Sequence, residues 1–244
     1  MADIYGRQPV LEALRHGTGI SKILIARGVH ETPPLQAIIQ LAAENHIPTD
    51  VVERRILDAR SHGGIHQGVI AVAEPFAYAT VDAIRRRAGD EPLLVLALDS
   101  VQDPQNLGTL LRTAEAVGIH GVLLPEHRAA DVTPVVEKAS AGAARLLPIV
   151  KVTNLVRALG EMKELGAWVA GVENNPQAII YNHADLRGPL VLVLGSEGRG
   201  LGRLVRETCD FLIRLPMRGR VSSLNVAVAG SIVLYEVLRQ RDLV

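Results

Sequence analysis

The sequence predicts an α/β protein of two units, the larger built on a mostly parallel sheet. Three observations carry that reading. Strand-like and helix-like apolar spacings alternate along nearly the whole chain, the pattern of strand–helix–strand units. Two runs, Leu93 to Asp99 and Leu190 to Leu194, are apolar almost throughout, as in strands covered on both faces. Between residues 77 and 90 the apolar content thins, which separates a unit at 1–76 from one at 91–244.

In the first unit, Tyr5-Gly6-Arg7-Gln8-Pro9 reads as a turn leading into a helix that reaches Leu14. Ile23 to Ala26 is a short strand. Leu35, Ile38, Ile39 and Ala42 have helical spacing, so Leu35 to Asn45 is a helix. Thr49 to Val52 is a strand, Ile56 to Arg60 a short helix and Gly68 to Ala73 a clear strand. The alternation describes a small α/β sandwich. Residues 77–90 hold at most one short helix and read as a linker. Their Arg85-Arg86-Arg87 run suits either a phosphate contact or a solvated helix face.

In the second unit the strands are Leu93–Asp99, Gly121–Pro125, Leu146–Val150, Trp168–Gly171, Leu190–Leu194 and Phe211–Leu215. The helices run from about Leu107 to Val117, Pro134 to Ala144, Asn154 to Leu165, Leu201 to Cys209 and Leu224 to Gln240. A mostly parallel sheet with helices on both faces follows, and such sheets bind ligands at the carboxyl ends of their strands.

The chain has 244 residues, 48% hydrophobic and 21% charged, enough for a sizeable core. With 3% aromatic residues, base-stacking platforms are disfavoured. No apolar run approaches the roughly 18–20 residues of a membrane span. The N-terminus lacks the basic-then-apolar layout of a signal peptide, and the expected location is cytoplasmic. The lone Cys209 rules out a disulfide framework or a cysteine zinc cluster. His62 and His66 are separated by Gly63 and Gly64, which disfavours the helix that an i, i+4 metal pair needs, so no metal is expected. The 26 basic and 26 acidic residues balance, so any nucleic-acid contact rests on local clusters. Only four of the basic residues are Lys. The Arg excess suits bidentate phosphate recognition, or else reflects composition bias.

Three segments combine polar residues with glycines, and each follows a strand: Asp103 to Arg112, Leu194 to Leu201 and Leu215 to Asn225. In the first, Asn106 is placed to cap the following helix. Arg112 lies four residues beyond Gly108, whose missing side chain leaves room for the guanidinium to reach back. An ordinary cap and a surface arginine would look the same. The second, Gly195-Ser-Glu-Gly-Arg-Gly-Leu-Gly202, lacks the G-x-G-x-x-G spacing of a dinucleotide turn. Glu197 would also oppose a pyrophosphate there. An acidic loop better suits a cofactor with cationic charge and hydroxyl donors, such as S-adenosylmethionine; the alternative is a tight turn with an exposed Glu. In the third, Ser222 or Ser223 can cap the terminal helix. Asn225 needs hydrogen-bond partners in an apolar setting, either local ones or a substrate. The helix itself is apolar on most faces, which calls for burial in the domain or at a subunit interface.

Together, in this order, the segments resemble the SpoU (TrmH-type) RNA ribose 2′-O-methyltransferases of the SPOUT class. The resemblance rests on Asn106-x-Gly108-x-x-x-Arg112, Leu194-Gly-Ser-Glu-Gly-x-Gly200 and Leu215-Pro-Met-x-Gly-x-Val-Ser-Ser-Leu-Asn225. It covers residues 91–244. The first unit, with Ile4-Tyr5-Gly6 and His66-Gln67-Gly68-Val69, looks like the ribosomal-protein-L30e-like RNA-binding domain of bacterial enzymes that modify a guanosine in 23S rRNA. The resemblance implies a C-terminal trefoil knot, against the general rule, and a homodimer. It implies S-adenosylmethionine bound by Gly195, Leu215 and Leu224, with Met217 close by. It implies catalytic or substrate contacts at Asn106, Arg112, Glu197, Ser223 and Asn225.

The implied reaction is an in-line methyl transfer to a ribose 2′-hydroxyl, in which positioning dominates. Arg112 fits a clamp on RNA phosphate better than a base, because a guanidinium hardly deprotonates; the proton acceptor is left open. Rival readings are the same chemistry on tRNA or another rRNA site, a nicotinamide-dependent enzyme using the glycine-rich turn, and a non-catalytic RNA-binding module. DNA is not an expected partner.

Overall fold

The structure, a computed structural model, describes residues 3–15, 19–61, 63–73, 76–196, 198–221 and 223–242. His62, Glu197 and Ser222 therefore lie outside the described residues. The first unit contains β1 (Ile4–Tyr5), α1 (Arg7–Arg15), β2 (Ile20–Ala26), α2 (Pro33–Glu44), β3 (Thr49–Val52), α3 (Arg54–Arg60) and β4 (Val69–Ala73). Its sheet has the order β1-β4-β2-β3, with β2 and β3 parallel and β4 antiparallel to both neighbours. The period of two along β2 sorts its side chains. Ile23 and Ile25 pack with Val10, Leu14, Leu35 and Ile38 of α1 and α2, while Leu24 packs with Leu57 of α3 and Ile70. The strand β1 has no periodic signature because it is two residues long; its pairing with Ala71 and Ile70 is a tertiary contact.

The next elements are α4 (Val81–Ala88), β5 (Leu94–Leu98), α5 (Pro104–Ala116), β6 (Gly121–Pro125), α6 (Pro134–Ala139), β7 (Ile149–Val152), α7 (Leu155–Glu164) and β8 (Trp168–Val172). The rest are β9 (Ile179–Ile180), β10 (Leu190–Leu194), α8 (Arg203–Thr208), β11 (Phe211–Arg214) and α9 (Val226–Asp242). Residues Val132–Gly142, which hold α6, pack with the first unit. The remaining elements from Tyr78 onward form the second unit.

Its seven strands are parallel throughout, in the order β7-β6-β5-β10-β8-β11-β9. The two most apolar runs, β5 and β10, are neighbours, with Leu94 opposite Leu190 and Leu98 opposite Leu194. On one face Val95, Ala97, Val191 and Val193 pack with Leu155, Leu159 and Met162 of α7 and with Ile84 of α4. The 77–90 stretch thus contributes a fully buried isoleucine to this core. On the other face α9 lies close against α5 and β10. A Cβ on Gly230 would come within 2.4 Å of Leu194 and 2.6 Å of Leu110, so glycine permits this approach.

Several helix ends differ from the sequence expectation. The helix expected over Pro134 to Ala144 stops at Ala139, because Ala141 and Gly142 turn left-handed at φ 51° and 86°. Their N–H groups bond back to Lys138 and Glu137 carbonyls, which closes the helix end. A 3₁₀ turn then covers Ala143–Arg145. No helix among the described residues is long and apolar enough to cross a membrane.

Candidate active site

The strands β5, β10, β8 and β11 are consecutive in the sheet and parallel, so the loops that follow them share one edge. A cleft of about 710 Å³ opens there. It is lined by Val172 to Asn174 after β8, by Gly195, Ser196 and Gly198 to Gly200 after β10, by Leu215 and Met217 after β11, and by Ser223 to Val226. Of the sequence-predicted residues, this brings together Gly195, Leu215, Met217, Ser223, Leu224 and Asn225.

The loop after β10 is tightly closed. Ser196 and Gly200 exchange both backbone hydrogen bonds, at 3.1 and 3.0 Å. Gly198 and Gly200 have φ of 79° and 66°, the left-handed region that glycine adopts without strain. Gly195 is buried, and a Cβ on it would lie 2.3 Å from the Gly200 carbonyl carbon. The two ends of this loop therefore touch backbone to backbone.

Two carboxylates, from the strands on either side of β10, brace the chain just after this loop. Asp99, just past β5, accepts from the Gly202 N–H at 2.7 Å. Glu173, just past β8, takes Arg206 Nε at 2.6 Å and Nη2 at 2.5 Å, and Arg206 Nη2 also donates to the Leu201 carbonyl at 3.2 Å. The Glu173 hydrogen bond and charge raise the Arg206 guanidinium above its ordinary pKa. Sequence reasoning missed Glu173. Val172-Glu173-Asn174 contains no glycine, and only its position after a strand of the central sheet could have marked it.

At the side of the cleft, two asparagines are joined. The helix α5 starts at Pro104, three residues before the expected start, and its cap is Asp103, which accepts from Gln105 N–H at 3.0 Å. Proline in the first turn and Asp before it explain the early start. Asn106 is thus not the cap. It lies buried in the first turn, and its Oδ1 accepts from Asn225 Nδ2 at 2.9 Å. Asn225 in turn caps α9: its Oδ1 accepts from the N–H groups of Ala227 at 2.9 Å and Val228 at 3.3 Å. The expected serine cap is replaced by Asn225, because the helix starts at Val226 rather than Leu224. Ser223 is exposed and lines the cleft.

Arg112 is exposed on α5, outside the cleft lining, and engages no hydrogen-bond or ion-pair partner among the described residues. Burial pushes the Cys209 thiol up to about 11, so it stays protonated at neutral pH and is a poor nucleophile.

The described walls of this cleft combine apolar side chains with bare backbone. Leu194, Leu215, Leu224 and Val226 offer apolar walls, and Gly195 and Gly200, which line the cleft, meet with no side chain between them.

Comparison with known proteins agrees with this geometry. Residues 93–235 match the SpoU rRNA Methylase family, and residues 4–79 match the RNA 2′-O ribose methyltransferase substrate binding domain. The chain is 44% identical to a 23S rRNA (guanosine-2′-O-)-methyltransferase, RlmB, of Pseudomonas putida, over 98% of this chain and 96% of the relative. Among solved structures it is similar to the SpoU methyltransferase AviRb from Streptomyces viridochromogenes in complex with AdoMet. That likeness has a TM-score of 0.69 and 26% identity, over 99% of this chain and 91% of the other. It is also similar to the A. aeolicus TrmH/SpoU tRNA modifying enzyme, with a TM-score of 0.58 and 30% identity, over 66% of this chain and 84% of the other. On the family match across more than half its length and the 44% identity across nearly all of it, the chain belongs to the SpoU rRNA methylase family.

Proposed function

We propose that this protein transfers a methyl group from S-adenosylmethionine to the ribose 2′-hydroxyl of a guanosine in 23S rRNA. The observation that carries the reading is the cleft at the strand ends, walled by the closed 195–200 loop and the start of α9. S-adenosylmethionine supplies an electrophilic methyl on a sulfonium. Gly195, Leu215 and Leu224 hold it, largely through backbone groups, with Met217 beside them. No metal takes part in this reading.

The remaining chemistry belongs to positioning. Arg112 clamps an RNA phosphate and orients the ribose. Asn106, its amide fixed by Asn225, and Ser223 contact the nucleotide, as does Glu197. Residues 1–76 act as the RNA-binding unit, 77–90 as the connection and 91–244 as the methyltransferase unit, whose C-terminal segments form a trefoil knot. The protein works in the cytoplasm as a homodimer, paired through the exposed apolar stripe of α9.

The test is a map of 2′-O-methyl positions in total RNA from cells with and without the gene. Loss of one guanosine methylation in 23S rRNA is the expected result. Loss of a tRNA methylation would move the target while keeping the chemistry. No change, together with thermal stabilisation by NAD and not by S-adenosylmethionine, would overturn the reading.

A further inference from the structure

The first unit has a pocket of its own, of about 400 Å³, lined by Arg7, Gly28, Val29, His30, Arg54 and Gln67. Several cations of this unit sit on carboxylates. Lys22 pairs with Asp50, Arg27 with Glu53 and Arg60 with Asp3. Arg7 is held at three points, and among the described residues its side chain meets neutral acceptors only. Its Nε donates to the Gln67 carbonyl at 3.1 Å, Nη1 to Thr32 Oγ1 at 2.7 Å and Nη2 to the His30 carbonyl at 3.2 Å. A guanidinium carries five N–H donors, so two remain, and no carboxylate pairs with it, among the described residues.

The holding contacts come with backbone strain. Gln67 has φ 51°, a conformation that L side chains adopt at a cost. In it, the Gln67 carbonyl accepts from Arg7 Nε while its side-chain Oε1 accepts from the Arg7 backbone N–H at 3.0 Å. The next cations are Arg54, which lines the same pocket, and Arg55 beside it. Both are exposed, and neither has a carboxylate partner among the described residues. A half-buried arginine immobilised without an anion, beside a free one, is a preorganised acceptor for an external oxyanion.

We propose that this pocket binds a backbone phosphate of the substrate RNA, with Arg7 as the fixed ligand and Arg54 as the mobile one. The inference rests on the reading of the chain as an RNA methyltransferase and adds which face of the first unit holds the RNA. It also answers the zero net charge: affinity comes from a few built phosphate contacts, not from the field of the whole molecule.

The test uses the full chain and a 23S rRNA transcript. Arg54→Glu breaks no hydrogen bond or ion pair among the described residues, and Arg7→Gln removes the charge at the fixed position. Each is expected to raise KM for the RNA about tenfold while kcat at saturating RNA and S-adenosylmethionine affinity stay unchanged, and Arg54→Ala to lower the salt slope of RNA binding by about one. If Arg7→Gln fails to fold, Arg54→Glu decides alone. An unchanged KM and salt slope in the folded Arg54 variants would overturn the site. If the wild type methylated no rRNA, the functional reading would fail instead. Filter binding of the same transcript to wild type and Arg54→Glu would then still decide the site, with equal affinities overturning it.

Discussion

Asn225 joins two structures with one amide: its Oδ1 caps α9, and its Nδ2 holds the Asn106 carbonyl oxygen. The two functions separate by substitution. Asn225→Ala removes both and should cost about 1–2 kcal/mol of stability. Asn225→Asp keeps an acceptor for the Ala227 and Val228 N–H groups, and its charge suits a helix N-terminus. It loses the donor to Asn106, whose amide must turn over to present its NH2 group to the new carboxylate, so the face that Asn106 offers a substrate changes. We therefore expect the Asp variant to melt near the wild-type temperature but to lose about tenfold or more in single-turnover methylation. An Asp variant with full rate would remove the Asn106 amide from catalysis. Arg112 makes the complementary case. It is exposed and without a partner among the described residues, so Arg112→Ala should change stability by no more than about 0.5 kcal/mol. If Arg112 clamps a phosphate, Ala abolishes most of the rate and Lys restores only part, because an ammonium lacks the bidentate fork. A near-normal rate in Arg112→Ala would exclude both the clamp and a base.

At the scale of elements, the 195–202 loop is the part most sensitive to one added atom. In Gly195→Ala the new Cβ meets the Gly200 carbonyl carbon at 2.3 Å, and backbone cannot rotate aside as a side chain can. Calorimetry should show S-adenosylmethionine binding weakened about tenfold or more, with a stability loss of about 1–3 kcal/mol. Unchanged cofactor affinity would mean that this loop is not the cradle. At the opposite end of β5, a buried histidine links the strand to the start of β6. His120 is buried; its Nδ1 accepts from the Leu94 N–H at 3.0 Å and its Nε2 lies 3.2 Å from Glu91. Burial lowers its pKa, Glu91 opposes the shift, and Arg241 and Arg87 add to it. The unfolded chain thus takes up this proton first. Its contribution is complete above about 6.5 and is lost as pH falls below that value. Chemical denaturation from pH 7.5 to 5.5 should show this loss, and His120→Gln should flatten the curve. An identical slope in both proteins would assign the acid sensitivity elsewhere. Legibility in the sequence follows the same physics. Gly121–Pro125 and Leu190–Leu194 match the sequence expectation to the residue, whereas the apolar run expected as a strand over Leu146–Val150 forms one only from Ile149, and on to Val152, because apolar content marks burial more surely than extent. The starts of α5 and α9 were misplaced by three and two residues respectively, because apolar periodicity marks the buried face while caps mark the ends. The Asn106–Asn225 bond and the Glu173–Arg206 pair were not legible at all, since they depend on which strands become neighbours.

For the whole molecule, the exposed apolar side chains of α9 are notable because they fall in a row. Val228, Ile232 and Tyr235 are 48%, 38% and 54% exposed, with Leu224 just before the helix at 38%. Their spacing of four and three residues places Val228, Ile232 and Tyr235 on one stripe, while Val233, Leu234 and Val237 fill the core. Apolar side chains in a row on a terminal helix belong against a partner, and an isologous pairing needs only this one surface. The same helix begins in the cleft, where Leu224, Asn225 and Val226 form a wall. Dimerisation should therefore steady the cofactor site as well as cover the stripe. Light scattering should give a mass near twice the 26.2 kDa of one chain, and Ile232→Asp or Val228→Asp should shift it to one chain. Because neither side chain lies in the cleft, a folded monomeric variant should bind S-adenosylmethionine more weakly only if the subunit contact supports that wall. A wild-type protein of single-chain mass would leave the stripe to another partner. A monomeric variant with wild-type cofactor affinity and rate would separate assembly from catalysis.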